Sequence, residues 1–314
     1  MNRYRRRNAP SFENNEYIGA YANISFDIVS ESELGPETLR FETKLHYIEK
    51  GEGEPLLLLH GIGQSLYTWR NTIDFFANEG YRVIAPDMVG FGYSGHLNIY
   101  YTIEENALVI NALMDALGVK KAHIIGFSTA ALSALSFAAT KPKRVNKLVL
   151  ISPGGPNENY PFLLRFLTTR LGAFAFKYIF SEATVRNVLS NYYFDCTQLT
   201  DEVVRGYFEP LRNRETKETL VRCMLHFDDT LIRSQLKGIP HQILVFSGMD
   251  DKLHDEETTR LYTTPLQHKS HIRIRNCAHF VHEEKSERFN SETLAFLKEE
   301  KENAIELEVW PIVE

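Results

Sequence analysis

The chain has 314 residues, 43% of them hydrophobic, with 35 basic and 41 acidic side chains and a formal net charge of -6. That length supplies a large core, and the acidic balance argues against a nucleic-acid-binding protein. Three well-separated cysteines, Cys196, Cys223 and Cys277, fit neither a disulfide framework nor a zinc cluster, so a reducing, cytoplasmic setting is expected.

The first residues carry Arg3, Arg5, Arg6 and Arg7, but no apolar run follows, so residues 1–17 read as a mobile basic terminus and not as a secretory signal. No later run is long enough to span a bilayer. From residue 18 to 50, Ile24, Phe26 and Ile28, then Leu39, Phe41, Thr43, Leu45 and Tyr47, alternate with polar neighbours. That period of two predicts an antiparallel hairpin at a sheet edge, turning at Glu33-Leu34-Gly35-Pro36.

The pattern then changes. Leu56 to Leu59 is uniformly apolar, as a strand buried on both faces should be, and it ends in His60-Gly61-Ile62-Gly63. Leu66, Trp69, Ile73 and Phe76 predict one helix. Val83-Ile84-Ala85 is a second buried strand, ending in Pro86-Asp87 and a loop with Gly90 and Gly92. Ala107, Ile110, Met114 and Leu117 predict another helix, closed by Gly118. Ile124-Ile125 then runs into Gly126-Phe127-Ser128-Thr129-Ala130 and an alanine-rich helical stretch, and Leu148 to Ile151 is one more buried strand. Alternating apolar strands and helices predict a parallel sheet covered on both faces.

After Gly155 the alternation stops for about eighty residues with many aromatics, among them Tyr160, Phe162, Phe166, Phe174, Phe176, Tyr178 and Phe180. It resumes at Ile243 to Phe246, which leads into Gly248-Met249-Asp250-Asp251. A helix near Glu256 to Leu266 follows. Next comes a half-exposed strand through Ile272 and Ile274 that ends at His279, then a last helix through Phe289 and Phe296.

Ser128, Asp251 and His279 each lie just past a strand end, and in a parallel sheet those ends share one edge, where ligands bind. These residues, with the His-Gly loop, the Pro-Asp loop and the Gly-x-x-Asp spacing, resemble the α/β-hydrolase family over residues 38 to 300. The resemblance implies an α/β fold with a mostly parallel eight-stranded sheet. It divides the core into residues 18–156 and 237–314, with residues 157–236 as an inserted helical cap. It also implies the roles. Ser128 is the nucleophile, His279 its base, and Asp251 the orienting acid, with Asp250 a solvated neighbour. The oxyanion hole is made by the backbone N–H groups of Ile62 and Thr129. Ala130 stands where the family motif has its second glycine.

His60 and Asp87 are expected to brace their own loops. His279, His282 and Glu283 lack the spacing of a metal motif, and Gly90 and Gly92 lack that of a dinucleotide fingerprint, so no metal and no cofactor is expected. The expected partner is a small molecule. The expected reaction is hydrolysis of an ester, thioester or lactone of a mainly apolar substrate through an acyl-serine. Aspartate is absent from the nucleophile position, which sets aside epoxide hydrolases and dehalogenases, and Gly61-Ile62-Gly63 replaces the Gly-Gly-Pro of proline iminopeptidases. Ring-cleavage carbon–carbon hydrolases typically place Trp where this chain has Phe280. A carbon–carbon hydrolase, lyase or cyclase using the same triad, or a low-turnover ligand-binding protein, is the alternative.

Overall fold

The computed structural model describes residues 19–32, 35–156, 166, 169, 172 and 181–299. The basic terminus, two residues of the expected turn (Glu33 and Leu34), most of the aromatic run between residues 157 and 180, and the apolar tail beyond residue 299 lie outside the described residues.

Eight strands form one sheet in the order β1-β2-β4-β3-β5-β6-β7-β8. They are β1 (Ala20–Ser32), β2 (Gly35–Lys50), β3 (Glu54–Leu59), β4 (Tyr81–Pro86), β5 (Ala122–Phe127), β6 (Val145–Ile151), β7 (Ile243–Gly248) and β8 (Lys269–Ile274). β1 and β2 are the long antiparallel hairpin, in register from Ala20↔Tyr47 to Ser32↔Gly35, and β2 joins β4 antiparallel. Every other pairing is parallel. Leu56 to Leu59 are wholly buried, each stabilising the fold by about 1.5–3 kcal/mol relative to exposure. β8 alternates exposed and covered residues, as an edge strand should.

The helices are α1 (Ile73–Asn78), α2 (Ile103–Ala116), α3 (Thr129–Thr140), α4 (Glu182–Ser190), α5 (Asp201–Leu211), α6 (Arg214–Leu225), α7 (Thr230–Gln235), α8 (Glu256–Thr263), α9 (Val281–Glu284) and α10 (Ser286–Lys298). α2 starts on a capping box, with the Thr102 hydroxyl on the Glu105 N–H and the Glu105 carboxylate on the Thr102 N–H. α2 packs on α3, and α1 on α10. Between β6 and β7 the described residues form helices α4 to α7 and no strand.

One expectation fails in detail. The single helix expected from Leu66 to Phe76 is a 3-10 turn, Leu66–Trp69, followed by α1. The segment is pinned at both ends of that turn. The Asp87 carboxylate accepts the Leu66 N–H at 2.7 Å, and the Asn290 amide donates to the Asn71 carbonyl at 2.8 Å. Tertiary hydrogen bonds here outweigh the local apolar spacing.

Candidate active site

β5 delivers Ser128 at its carboxyl end. Ser128 adopts φ 55° and ψ -121°, a conformation that costs a non-glycine residue free energy and that the surroundings must enforce. Two contacts enforce it. The Ser128 N–H donates to the Ile151 carbonyl of β6 at 2.9 Å, and α3 begins on the next residue. The turn also requires glycine at 126. A Cβ there would stand 2.8 Å from both the Ala130 carbonyl oxygen and the Ala131 Cα, so helix and strand touch. Ala130 fits at the last position of the motif and is itself buried.

β7 delivers the acid. Asp251 Oδ2 lies 2.8 Å from His279 Nδ1, while Oδ1 accepts the N–H groups of Leu253 and His254 at 2.9 and 3.0 Å. Burial works to raise the Asp251 pKa, but His279 and these donors outweigh it and hold the carboxyl below the usual range. Asp250, one residue earlier, is exposed. The loop after β8 delivers His279, whose N–H donates to the Tyr192 carbonyl at 3.0 Å and whose own carbonyl accepts from Ser152 Oγ at 3.2 Å. With Nδ1 on Asp251, Nε2 is the ring nitrogen left for another partner.

The loop after β3 supplies Ile62. His60 Nε2 accepts the Met88 N–H at 2.8 Å and Nδ1 lies 2.9 Å from the Gly61 carbonyl, which suits a neutral imidazole. Burial lowers its pKa, in keeping with that state. Asp87 braces more than its own loop, accepting from Leu66 N and Tyr93 N and pairing with His46 Nδ1. The Ile62 N–H donates to Thr129 Oγ1 at 2.9 Å.

Ser128, His279 and Ile62 line one cavity. Val185 and Leu189 from α4, Tyr207 and Leu211 from α5, and Leu220 and Met224 from α6 form its opposite wall, with Phe280 beside His279. No lysine or arginine lines it among the described residues. This wall was missed by sequence reading, although each helix offers its pair at a spacing of four. α5 approaches through Gly206, where a Cβ would meet the Tyr67 ring at 2.3 Å.

A second missed feature anchors that wall. Glu283, buried, accepts from Arg70 at 2.5 Å, from Thr68 at 2.7 Å, and from the hydroxyls of Tyr193 and Tyr207. Burial works to raise the Glu283 pKa, and the Arg70 guanidinium outweighs it, so the carboxyl lies below its ordinary value. His282 donates from Nε2 to Thr68 Oγ1 at 2.7 Å, since the Thr68 proton is on Glu283, and it packs between Trp69 and Phe127. Among the described residues no group of three or more His, Cys, Asp or Glu is placed to hold a metal ion, and no helix is long and apolar enough to cross a membrane.

A strained serine after β5, an acid–histidine pair after β7 and β8, and a backbone N–H after β3 thus stand at one edge of the sheet. A family model for the alpha/beta hydrolase fold matches residues 54–286. The chain belongs to the α/β-hydrolase fold family. Like its relatives, this α/β hydrolase is a hydrolytic enzyme. It is 31% identical over 280 residues to the 2-hydroxy-6-oxo-6-phenylhexa-2,4-dienoate hydrolase of Comamonas testosteroni, covering 81% of this chain and 91% of that one. It is 32% identical over 273 residues to the 2-hydroxy-6-oxononadienedioate/2-hydroxy-6-oxononatrienedioate hydrolase of Burkholderia vietnamiensis, covering 82% and 92%. Among solved structures, the meta-cleavage product hydrolase of Pseudomonas fluorescens IP01 superposes with a TM-score of 0.71 at 27% identity, over 81% of this chain and 94% of that one. The relatives are thus carbon–carbon hydrolases, and they side with the alternative rather than with the expected ester, thioester or lactone hydrolysis, although Phe280 had counted against a carbon–carbon hydrolase.

Proposed function

We propose that this α/β hydrolase cuts a carbon–carbon bond next to a ketone in a conjugated, largely apolar substrate, of the kind named for its relatives. The observation that carries the reading is that His279, paired with Asp251 at 2.8 Å, lines the same cavity as Ser128 in a chain 31% identical to a dienoate hydrolase.

His279 takes the Ser128 proton as the oxygen attacks the ketone carbon, and Asp251 stabilises the imidazolium. The developing oxyanion is met by the N–H groups of Ile62 and Thr129, each worth about 3 kcal/mol in the transition state. Collapse breaks the carbon–carbon bond. The electron pair leaves as a carbanion, so the dienol must first have become its keto tautomer, losing the hydroxyl proton and gaining one on the carbon next to the bond that breaks, which lets the pair delocalise onto the new carbonyl as a dienolate. His279 returns its proton to the departing fragment. Water, activated by the same histidine, then releases the acyl group from Ser128 as a carboxylic acid.

A second reading has its own support. Phe280 and the absence of any lysine or arginine among the described wall residues leave no cation to hold a dienoate carboxylate, which suits a neutral ester or lactone. Both readings share the acyl-serine half. Incubation with 2-hydroxy-6-oxo-6-phenylhexa-2,4-dienoate separates them. The first reading expects loss of the dienol absorbance with release of benzoate, abolished in Ser128→Ala. Cleavage of p-nitrophenyl butyrate with no turnover of the dienoate sinks it in favour of the second.

A further inference from the structure

The oxyanion donors have an occupant in the protein's own side chain. An oxyanion held by a backbone N–H stands at about 2.7–3.1 Å from the nitrogen. Thr129 Oγ1 lies 2.9 Å from Ile62 N, with the N–H directed at it. The hydroxyl oxygen therefore sits within the distance that the substrate oxygen needs.

Two features make this contact reversible. Thr129 is the first residue of α3, and a helical threonine divides between two χ1 rotamers, unlike valine or isoleucine. It also lines a second cavity, whose wall includes Asn106 and Ser133. Ile62 borders both cavities, so the Ile62–Thr129 contact stands on the partition between them.

We propose that the Thr129 hydroxyl is a plug in the oxyanion hole. The inference rests on the reading of Ser128 as nucleophile and of the Ile62 N–H as an oxyanion donor. In the empty protein the hydroxyl satisfies the Ile62 N–H. When a tetrahedral oxygen forms, the hydroxyl gives up this bond and turns toward the second cavity. Thr129 thus acts in two opposed ways: its backbone N–H binds the oxyanion, and its side chain competes with it. Every tetrahedral species pays for the exchange with one neutral hydrogen bond.

Phenylboronic acid tests this without a physiological substrate. The Ser128 oxygen adds to boron, its proton passes to His279, nothing leaves, and the adduct carries a negative tetrahedral oxygen at the hole. Affinity is read by competition with fluorophosphonate labelling of Ser128 in the wild type, Thr129→Ala and Thr129→Ser, with thermal unfolding to show that all three are folded. Removing the plug tightens boronate binding in Thr129→Ala by about three- to tenfold, the worth of one neutral hydrogen bond, and Thr129→Ser, which keeps the hydroxyl, restores the wild-type affinity. Labelling with an unchanged or weaker boronate affinity in Thr129→Ala overturns the plug alone. Absence of labelling in all three folded proteins overturns the nucleophile reading, and the plug with it.

Discussion

At the carboxyl edge of the sheet, the groups proposed for catalysis are fixed by main chain. Ser128 is wedged between β5 and α3 with its N–H on Ile151, Asp251 takes two backbone N–H groups, and His279 is bonded through its own N–H and carbonyl. Across the cavity, α4, α5 and α6 present apolar side chains, joined to the core through the hydroxyls of Tyr193 and Tyr207 on Glu283. One side is preorganised by backbone geometry, where a small error would cost much of the rate. The other is held by packing and one polar knot, so its shape can change with single side chains. Chemistry and specificity thus sit on separate structural supports.

The sharpest way to break this contrast is at the sheet edge. Ser128→Ala should lower kcat by about 10⁴- to 10⁶-fold with the fold intact, as steady-state kinetics and circular dichroism would register. Retention of more than a tenth of the activity would remove Ser128 from the mechanism. Asp251→Asn should cost about 10³- to 10⁴-fold, because the amide favours the wrong histidine tautomer. A comparable loss in Asp250→Asn would mean that the exposed neighbour is the partner instead.

On the opposite side the expected effects are on stability. Glu283→Gln leaves the partly buried Arg70 guanidinium without its counter-charge and should destabilise by about 3 kcal/mol, measured by urea unfolding. A change below 1 kcal/mol would show that the knot does not anchor the helices. The pH dependence follows from His254 and His282, both wholly buried, whose pKa values are pushed down by burial to about 4 and about 3. In the unfolded chain each takes a proton near pH 6.5, whereas in the folded protein each does so only near those lower values. The unfolded state binds more protons in that window, so their contribution is full above pH 6.5 and falls as pH drops. Between pH 7 and 5 each should cost about 2 kcal/mol of stability. Unfolding free energies that stay level over that range would contradict this.

The smallest effect should come from the apolar wall. Met224→Ala should enlarge the cavity and shift preference toward bulkier acyl groups by about tenfold in kcat/KM or less, with kcat on the smallest substrate nearly unchanged. A large fall in kcat instead would mean that the wall also positions the chemistry.

Much of the fold was legible because its signals are local. The run Leu56 to Leu59 can only be a strand covered on both faces, and the alternation from Ile24 to Tyr47 can only be a half-exposed hairpin. The order of Ser128, Asp251 and His279 after β5, β7 and β8 gave the edge that they share. The 3-10 turn at Leu66–Trp69 was not legible, since it depends on Asp87 and Asn290 reaching in from elsewhere. Nor was the choice of reaction, because Phe280 is one wall residue among many and the relatives point the other way from it.

Sequence alone determined the strand order along the chain, the elbow around Ser128 and the acid and histidine that follow. These are short-range patterns of apolar period, glycine and spacing. The Gly-x-x-Asp spacing favoured Asp251 over Asp250, and the tertiary structure gives its contact with His279; tertiary structure alone decided that Glu283 is ion-paired with Arg70 and that Thr129 Oγ1 rests on the Ile62 N–H. Each of those is a contact between groups 28 to 213 positions apart, whose distance no local pattern encodes.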